Sequence, residues 1–192
     1  FFAKILISRT GYTGEDGVEV ILPAKFAQKA IDLMLSQGNA ASVVLPTGLG
    51  ARDSLRLEAG MPLYGHELNE EIDPLSAGLH FAVKLDKGVD DNGAEPFIGQ
   101  EALRTIAENG SEKHLVGLKL DGRRSPRQHM KVLSSGNEIG EVTSGCLSPT
   151  CNYPIAMAYV PSNFDGDCVD LDFGKTTIPA TIVDLPFYKL PT

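Results

Sequence analysis

The pattern of apolar and polar positions divides the chain into two textures. Phe1 to Ser8 (FFAKILIS) is a run of core-like residues and predicts a buried strand. A glycine-punctuated stretch follows, from Gly11 through Gly14 to Gly17. Val18 to Leu22 then predicts a second strand, with Asp16-Gly17 suited to a hairpin return. Pro23 opens a helix at its first position. Phe26, Ala30 and Met34 recur there at helical spacing, Ile31 and Leu35 widen the stripe, and Gly38 ends it. A second helix is predicted from Leu49 to Ala59, capped by Thr47 and stopped by Gly60. Met61 to Gly78 reads as loop with short structured pieces, Leu79 to Leu85 as strand, Asp86 to Glu95 as an acidic surface loop or hinge and Phe97 to Ile106 as a helix.

From His114 onward, short alternating runs are separated by turn residues. They are Leu115 to Leu120, Lys131 to Leu133, Glu138 to Val142, Ile155 to Val160, Cys168 to Phe173 and Thr176 to Val183. That rhythm predicts a small antiparallel barrel or sandwich. The fold class is therefore α+β. A mixed region spans 1–110, a β-barrel domain spans 111–192, and the boundary falls near Ser111. The chain opens on Phe1 in strand-like material instead of a loose polar end, which reads as a piece of a longer protein.

Composition narrows the function classes. The chain has 192 residues, 42% hydrophobic and 22% charged, ordinary values for a globular protein with its own core. Its 17 basic and 25 acidic residues leave a net charge of -8. That balance suits no generic nucleic-acid binder, because neutralising phosphates needs Lys and Arg. No run approaches the roughly 18 apolar residues of a membrane span, and no leader segment is visible. Three cysteines, Cys146, Cys151 and Cys168, form no CxxC pair and lack histidines at zinc-site spacing. Their odd number argues against a disulfide framework and for a reducing compartment such as the cytoplasm. They read as small buried hydrophobes.

Candidate chemistry is sparse. The glycines at 11, 14 and 17 are spaced GxxGxxG and lead into a strand. A dinucleotide loop needs a helix N-terminus there, so that reading is rejected. Glu19, on the second predicted strand, is either a solvent-facing edge residue or a carboxylate at a pocket wall. Its two oxygens suit a pair of parallel N–H donors, such as the pyrimidine edge of a pterin. Arg52 and Arg56 share one face of the second helix. They either pair locally with Asp53 or Glu58, or one of them is held to meet an anion. Between Lys113 and Lys131, six basic residues face only Asp121, a local charge of +5. That segment is either a solvated loop or a docking surface for an anionic partner.

Several segments in order resemble the glycine cleavage T-protein family. They are SRTGYTGEDGVEV (Ser8 to Val20), GLGARDSLRLEAGMPLYGHEL (Gly48 to Leu68), FAVKLDK (Phe81 to Lys87), FIGQEAL (Phe97 to Leu103), IGEVTSG (Ile139 to Gly145), SPT (Ser148 to Thr150), IAMAYVP (Ile155 to Pro161) and PFYK (Pro186 to Lys189). The resemblance implies a three-domain cloverleaf with folate in a central channel, so that the mixed region here would be part of a folate-binding unit. Tyr12 and Glu19 match the family's folate-contacting tyrosine and glutamate, Arg52 its ligand-site arginine and Tyr188 a C-terminal tyrosine near the ligand. The family's catalytic aspartate lies in its N-terminal half, and no residue here matches it. The implied co-substrate is tetrahydrofolate, and the implied partner is the lipoylated carrier (H) protein of glycine cleavage. Rival readings are the folate domain of a dimethylglycine- or sarcosine-type demethylating enzyme and a non-catalytic folate-binding tRNA-modification factor. One departure stands out. Where the family reads Arg-x-Gly, this chain has Arg127-Gln128-His129. Finally, an apolar first strand with an open edge predicts self-association of the chain.

Overall fold

A computed structural model describes residues 4–36, 44–88 and 95–189. Phe1, Gly38 and most of the 86–95 loop predicted above lie outside the described residues. The element order is strands first, then helices, then a run of strands, as an α+β chain should show.

Strands β1 (Leu6–Ser8) and β2 (Glu19–Ile21) pair antiparallel, with Ser8 opposite Glu19. The return between them is not a tight Asp16-Gly17 hairpin. It is the longer excursion 9–18, which reaches the end of the second helix. There Gly14 adopts φ +73°, and a Cβ on it would lie 2.8 Å from the Ala59 Cβ. Only glycine permits both the backbone angle and the approach. The expected burial of the first strand is also corrected. Ile5, Leu6 and Ile7 are 53, 60 and 64% exposed. The reason is that, among the described elements, β1 makes substantial contact only with β2.

After Pro23, a short 3-10 turn (Ala24–Phe26) leads into helix α1 (Ala27–Ser36). Phe26 and Ala30 are half-buried, while Ile31, Met34 and Leu35 stand exposed. Helix α2 (Leu49–Glu58) begins at Gly48, not at a Thr47 cap; the Thr47 hydroxyl turns back to the Leu45 carbonyl. Its end is a Schellman close. Gly60, at φ +67°, donates to the Leu57 carbonyl at 2.9 Å, and Met61 donates to the Arg56 carbonyl at 2.8 Å. The predicted strand from Leu79 to Leu85 is instead a 3-10 turn over His80–Ala82. Its backbone closes on itself, Ala82 N–H to Leu79 O and Val83 N–H to His80 O. An isolated apolar run has no ladder to join when the barrel beside it leaves no open edge. Helix α3 spans Gln100–Asn109, slightly later than predicted.

Six strands then close into an antiparallel barrel: β3 (Lys113–Leu120), β4 (Lys131–Ser134), β5 (Asn137–Leu147), β6 (Pro154–Pro161), β7 (Cys168–Asp172) and β8 (Thr177–Val183), in the order β3-β6-β5-β4-β7-β8. Closure removes free edges. Leu118, Val132, Val142, Ala156, Ala158 and Leu171 fill the interior without solvent exposure. Strand β6 is buried on both faces, because its outward Ile155 and Met157 pack against Leu57 of α2 together with Leu185 and Phe187 of the tail. A β-bulge at Thr143 then decides what faces that helix. Val142 opposes Ala158 inside the barrel, and Ser144 opposes Met157 on the outside. Without the extra residue, Ser144 would share the inward face of Val142. Of the cysteines, Cys146 and Cys151 are half-buried, whereas Cys168 is exposed, contrary to the reading of all of them as buried. It begins β7, where the strand emerges from the barrel end. No helix among the described residues is long and apolar enough to cross a membrane.

Candidate functional site

Helix α2 is the spine of the site, and it separates the two arginines. Arg56 is fully buried. Its Nε and Nη2 lie 2.8 and 2.7 Å from Asp53 Oδ1, and Nη2 also donates to Ser144 Oγ at 2.7 Å. Its Nη1 donates to the Met61 carbonyl at 3.1 Å and to Glu67 Oε2 at 2.8 Å. Every nitrogen of this guanidinium is engaged, so Arg56 has nothing left for a ligand. Arg52, one turn earlier, is the opposite case. It is exposed, and its guanidinium carbon sits 4.4 Å from the centre of the Tyr12 ring. No described residue accepts a hydrogen bond from it. A stacked guanidinium keeps its in-plane donors available for a carboxylate or phosphate.

Tyr12 is brought to Arg52 by the 9–18 excursion. Its hydroxyl donates to the Pro62 carbonyl at 2.5 Å. Burial pushes its phenol above the usual range, although Arg56 and Arg52 nearby pull it down. Glu19 stays on β2, exposed, and accepts from the Thr10 hydroxyl. The Thr10 hydroxyl also lies 3.0 Å from that of Ser8, the strand partner of Glu19. Tyr188 meets the other end of the spine, where its backbone N–H donates to the Glu58 carbonyl at 3.0 Å. The structure thus unites Tyr12 and Arg52, ties Tyr188 to the C-terminal end of the same helix, and leaves Glu19 bonded within the β1–β2 region.

The sequence offered Glu58 only as a local partner for an arginine and gave no sign of Glu67. Glu58 is no partner for an arginine. Although buried, it accepts from the hydroxyl of Ser148, and from the backbone N–H and hydroxyl of Thr150 at 2.9 and 2.7 Å. It therefore bolts α2 to the SPT segment of the barrel. Glu67 is fully buried beside Arg56; its Oε2 takes the Leu63 N–H at 2.9 Å, while Oε1 has no partner among the described residues. The proximity of SPT to the helix was not readable from spacing, because 90 residues separate Glu58 from Ser148. Burial and the Glu58 charge push the Cys146 thiol up to about 11, so it is no nucleophile at neutral pH. Among the described residues no group of His, Cys, Asp or Glu is arranged to hold a metal ion.

Comparison with known proteins bears on this arrangement. The GCVT N-terminal domain model matches residues 2–87, and the glycine cleavage T-protein C-terminal barrel domain model matches 113–189. The chain belongs to the glycine cleavage T-protein family. It is 45% identical over 189 residues to an aminomethyltransferase of Symbiobacterium thermophilum, covering 97% of this chain and 48% of that protein. It is 46% identical over 190 residues to one from Saccharopolyspora erythraea, covering 97% and 50%. The crystal structure of the glycine cleavage system aminomethyltransferase T from Bartonella henselae superposes with a TM-score of 0.85 at 35% identity, over 96% of this chain and 50% of that one. The chain thus spans about half the length of the family members it matches. The antiparallel barrel expected from the strand rhythm is the family's C-terminal barrel.

His129, where the sequence departs from the Arg-x-Gly that the resemblance led one to expect, adopts a backbone angle that favours glycine. It has φ +67°, donates its N–H to the Val142 carbonyl at 2.9 Å, and places Nδ1 2.8 Å from Glu141 Oε1.

Proposed function

We propose that this chain builds one wall of the tetrahydrofolate site of an aminomethyltransferase. In that reaction, folate N5 attacks the aminomethyl carbon carried on the dihydrolipoyl sulfur of the carrier protein. Ammonia leaves, and N10 closes the ring to give 5,10-methylenetetrahydrofolate and the free dithiol. Arg52 carries the reading. It is a guanidinium held over the Tyr12 ring with its donors unspent among the described residues, beside an Arg56 whose donors are all used. Such a group suits the planar, anionic character of a folate. In this reading Glu19 takes the parallel N–H donors of the pterin edge, Tyr12 and Arg52 contact the ligand, and Tyr188 closes the site from the tail. No residue of this chain is assigned the proton transfers. The contribution of these residues is to hold the folate for attack, a matter of proximity and orientation.

Titration calorimetry of the chain with tetrahydrofolate under argon tests the reading. Saturable binding that Arg52→Ala weakens at least tenfold, roughly the loss of a charge-assisted hydrogen bond, is the expected result. Binding indifferent to Arg52→Ala would refute the assignment.

A further inference from the structure

Tyr12 hangs from a single atom, the Pro62 carbonyl oxygen, at 2.5 Å. A proline has no N–H and no polar side chain, so only its neighbours can aim that carbonyl. Both neighbours are gripped by one buried ion pair. Arg56 Nη1 donates to the Met61 carbonyl on one side, at 3.1 Å. On the other, the Leu63 N–H donates to Glu67 Oε2 at 2.9 Å. The same Glu67 oxygen lies 2.8 Å from Arg56 Nη1, which closes the bracket around Pro62. The barrel fixes the bracket in turn. Ser144 Oγ accepts from Arg56 Nη2 at 2.7 Å, and the Tyr159 hydroxyl donates to the Glu67 carbonyl at 2.8 Å.

We propose that Arg56 and Glu67 are positioning residues, a clamp through which the barrel sets the place of the Tyr12 ring and of the Arg52 guanidinium stacked on it. The clamp itself rests on the geometry above; its effect on ligand rests on the folate reading. Stability alone is a poor reason for such a pair. Taking two ions out of water is costly, and a hydrophobic pair of the same volume often serves stability as well. Glu67 Oε1, buried without a donor among the described residues, adds to that cost.

The test replaces the clamp by Arg56→Met with Glu67→Leu in the full chain. The Tyr12 ring resonances, assigned with Tyr12→Phe on ring-labelled protein, should move toward those of a solvent-exposed tyrosine. Tetrahydrofolate affinity should fall about tenfold, the scale of one lost hydrogen bond to a positioned group. In a Tyr12→Phe background, where no hydroxyl hangs from Pro62, the same replacement should cost less than about twofold more, because coupled residues are non-additive. Unmoved Tyr12 resonances in the folded variant, or affinity losses that multiply independently, overturn the clamp. If the double replacement does not fold, isosteric Glu67→Gln takes its place and should shift the resonances the same way by less; no shift overturns the proposal. Should the unaltered chain bind no tetrahydrofolate, the folate reading falls, and the ring resonances alone decide the clamp.

Discussion

Removal of the Glu58 carboxylate should loosen helix α2 from the barrel, and the size of the effect follows from its partners. Glu58 is 2% exposed and accepts from Ser148 Oγ, the Thr150 N–H and the Thr150 hydroxyl. Thr150 is exposed, so its hydroxyl can turn to water at little cost. Ser148 is 1% exposed and already receives the Cys151 N–H, so the donor of its own hydroxyl would be stranded. Two lost bonds to a charged acceptor, at about 1.5–3 kcal/mol each and less than additive, give roughly 3–5 kcal/mol for Glu58→Ala. Glu58→Gln keeps one acceptor oxygen of the same reach. Thr150 can rotate to accept from the new amide, so the loss should be about 1 kcal/mol. The chain has no tryptophan. Urea unfolding is therefore followed by circular dichroism and tyrosine emission. A Glu58→Ala cost below about 1 kcal/mol, or equal costs for the two variants, would refute the account of this contact.

Four further outcomes are expected. Glu19→Gln should weaken tetrahydrofolate binding by roughly 1.5–3 kcal/mol while Glu15→Gln does much less; equal losses by calorimetry would mean the wrong glutamate was chosen. Because His129 sits at φ +67°, His129→Gly should be more stable than His129→Ala by about 1 kcal/mol, and equal melting temperatures would show that the backbone carries no strain. In the basic run, Lys113 lies over Tyr159 and Lys131 pairs with Glu138, whereas Arg123 and Arg124 meet Asn152 and Thr176 and stay exposed. Replacing both by glutamate in a full-length family enzyme carrying this segment should raise KM for the carrier protein at low salt and leave kcat alone, the mark of lost steering; an unchanged KM returns the run to a solvated surface. Lastly, among the described residues the large exposed apolar side chains all fall between Ile5 and Ile98, none in the barrel. Light scattering at micromolar concentration should show self-association through that first region, and a strict monomer would contradict it.

What could be read in the chain and what could not divide along one physical line. The barrel strands were legible because a strand inside a closed barrel alternates between a packed interior and another face, and period-two alternation is written locally. Helix α2 was legible for a related reason, since apolar spacing and Gly60 mark it without help from afar. Tyr12 and Tyr188 came from motif resemblance alone, whereas Glu19 and Arg52 were open alternatives in the residue pattern that the resemblance singled out; the packing of the chain, not their spacing, set Tyr12 on Arg52. Contacts across long separations decided the rest. Leu79 to Leu85 has a strand's pattern, yet a strand exists only where a neighbour offers a ladder, and no described strand pairs with it. Arg52 and Arg56 are equivalent in sequence, the same residue type on one helix face. The bulge at Thr143 turned Ser144 outward, and Glu67 arrived from a loop, so one arginine became a saturated anchor and the other stayed free. Burial and hydrogen-bond saturation are properties of the assembled neighbourhood, and no local pattern encodes them.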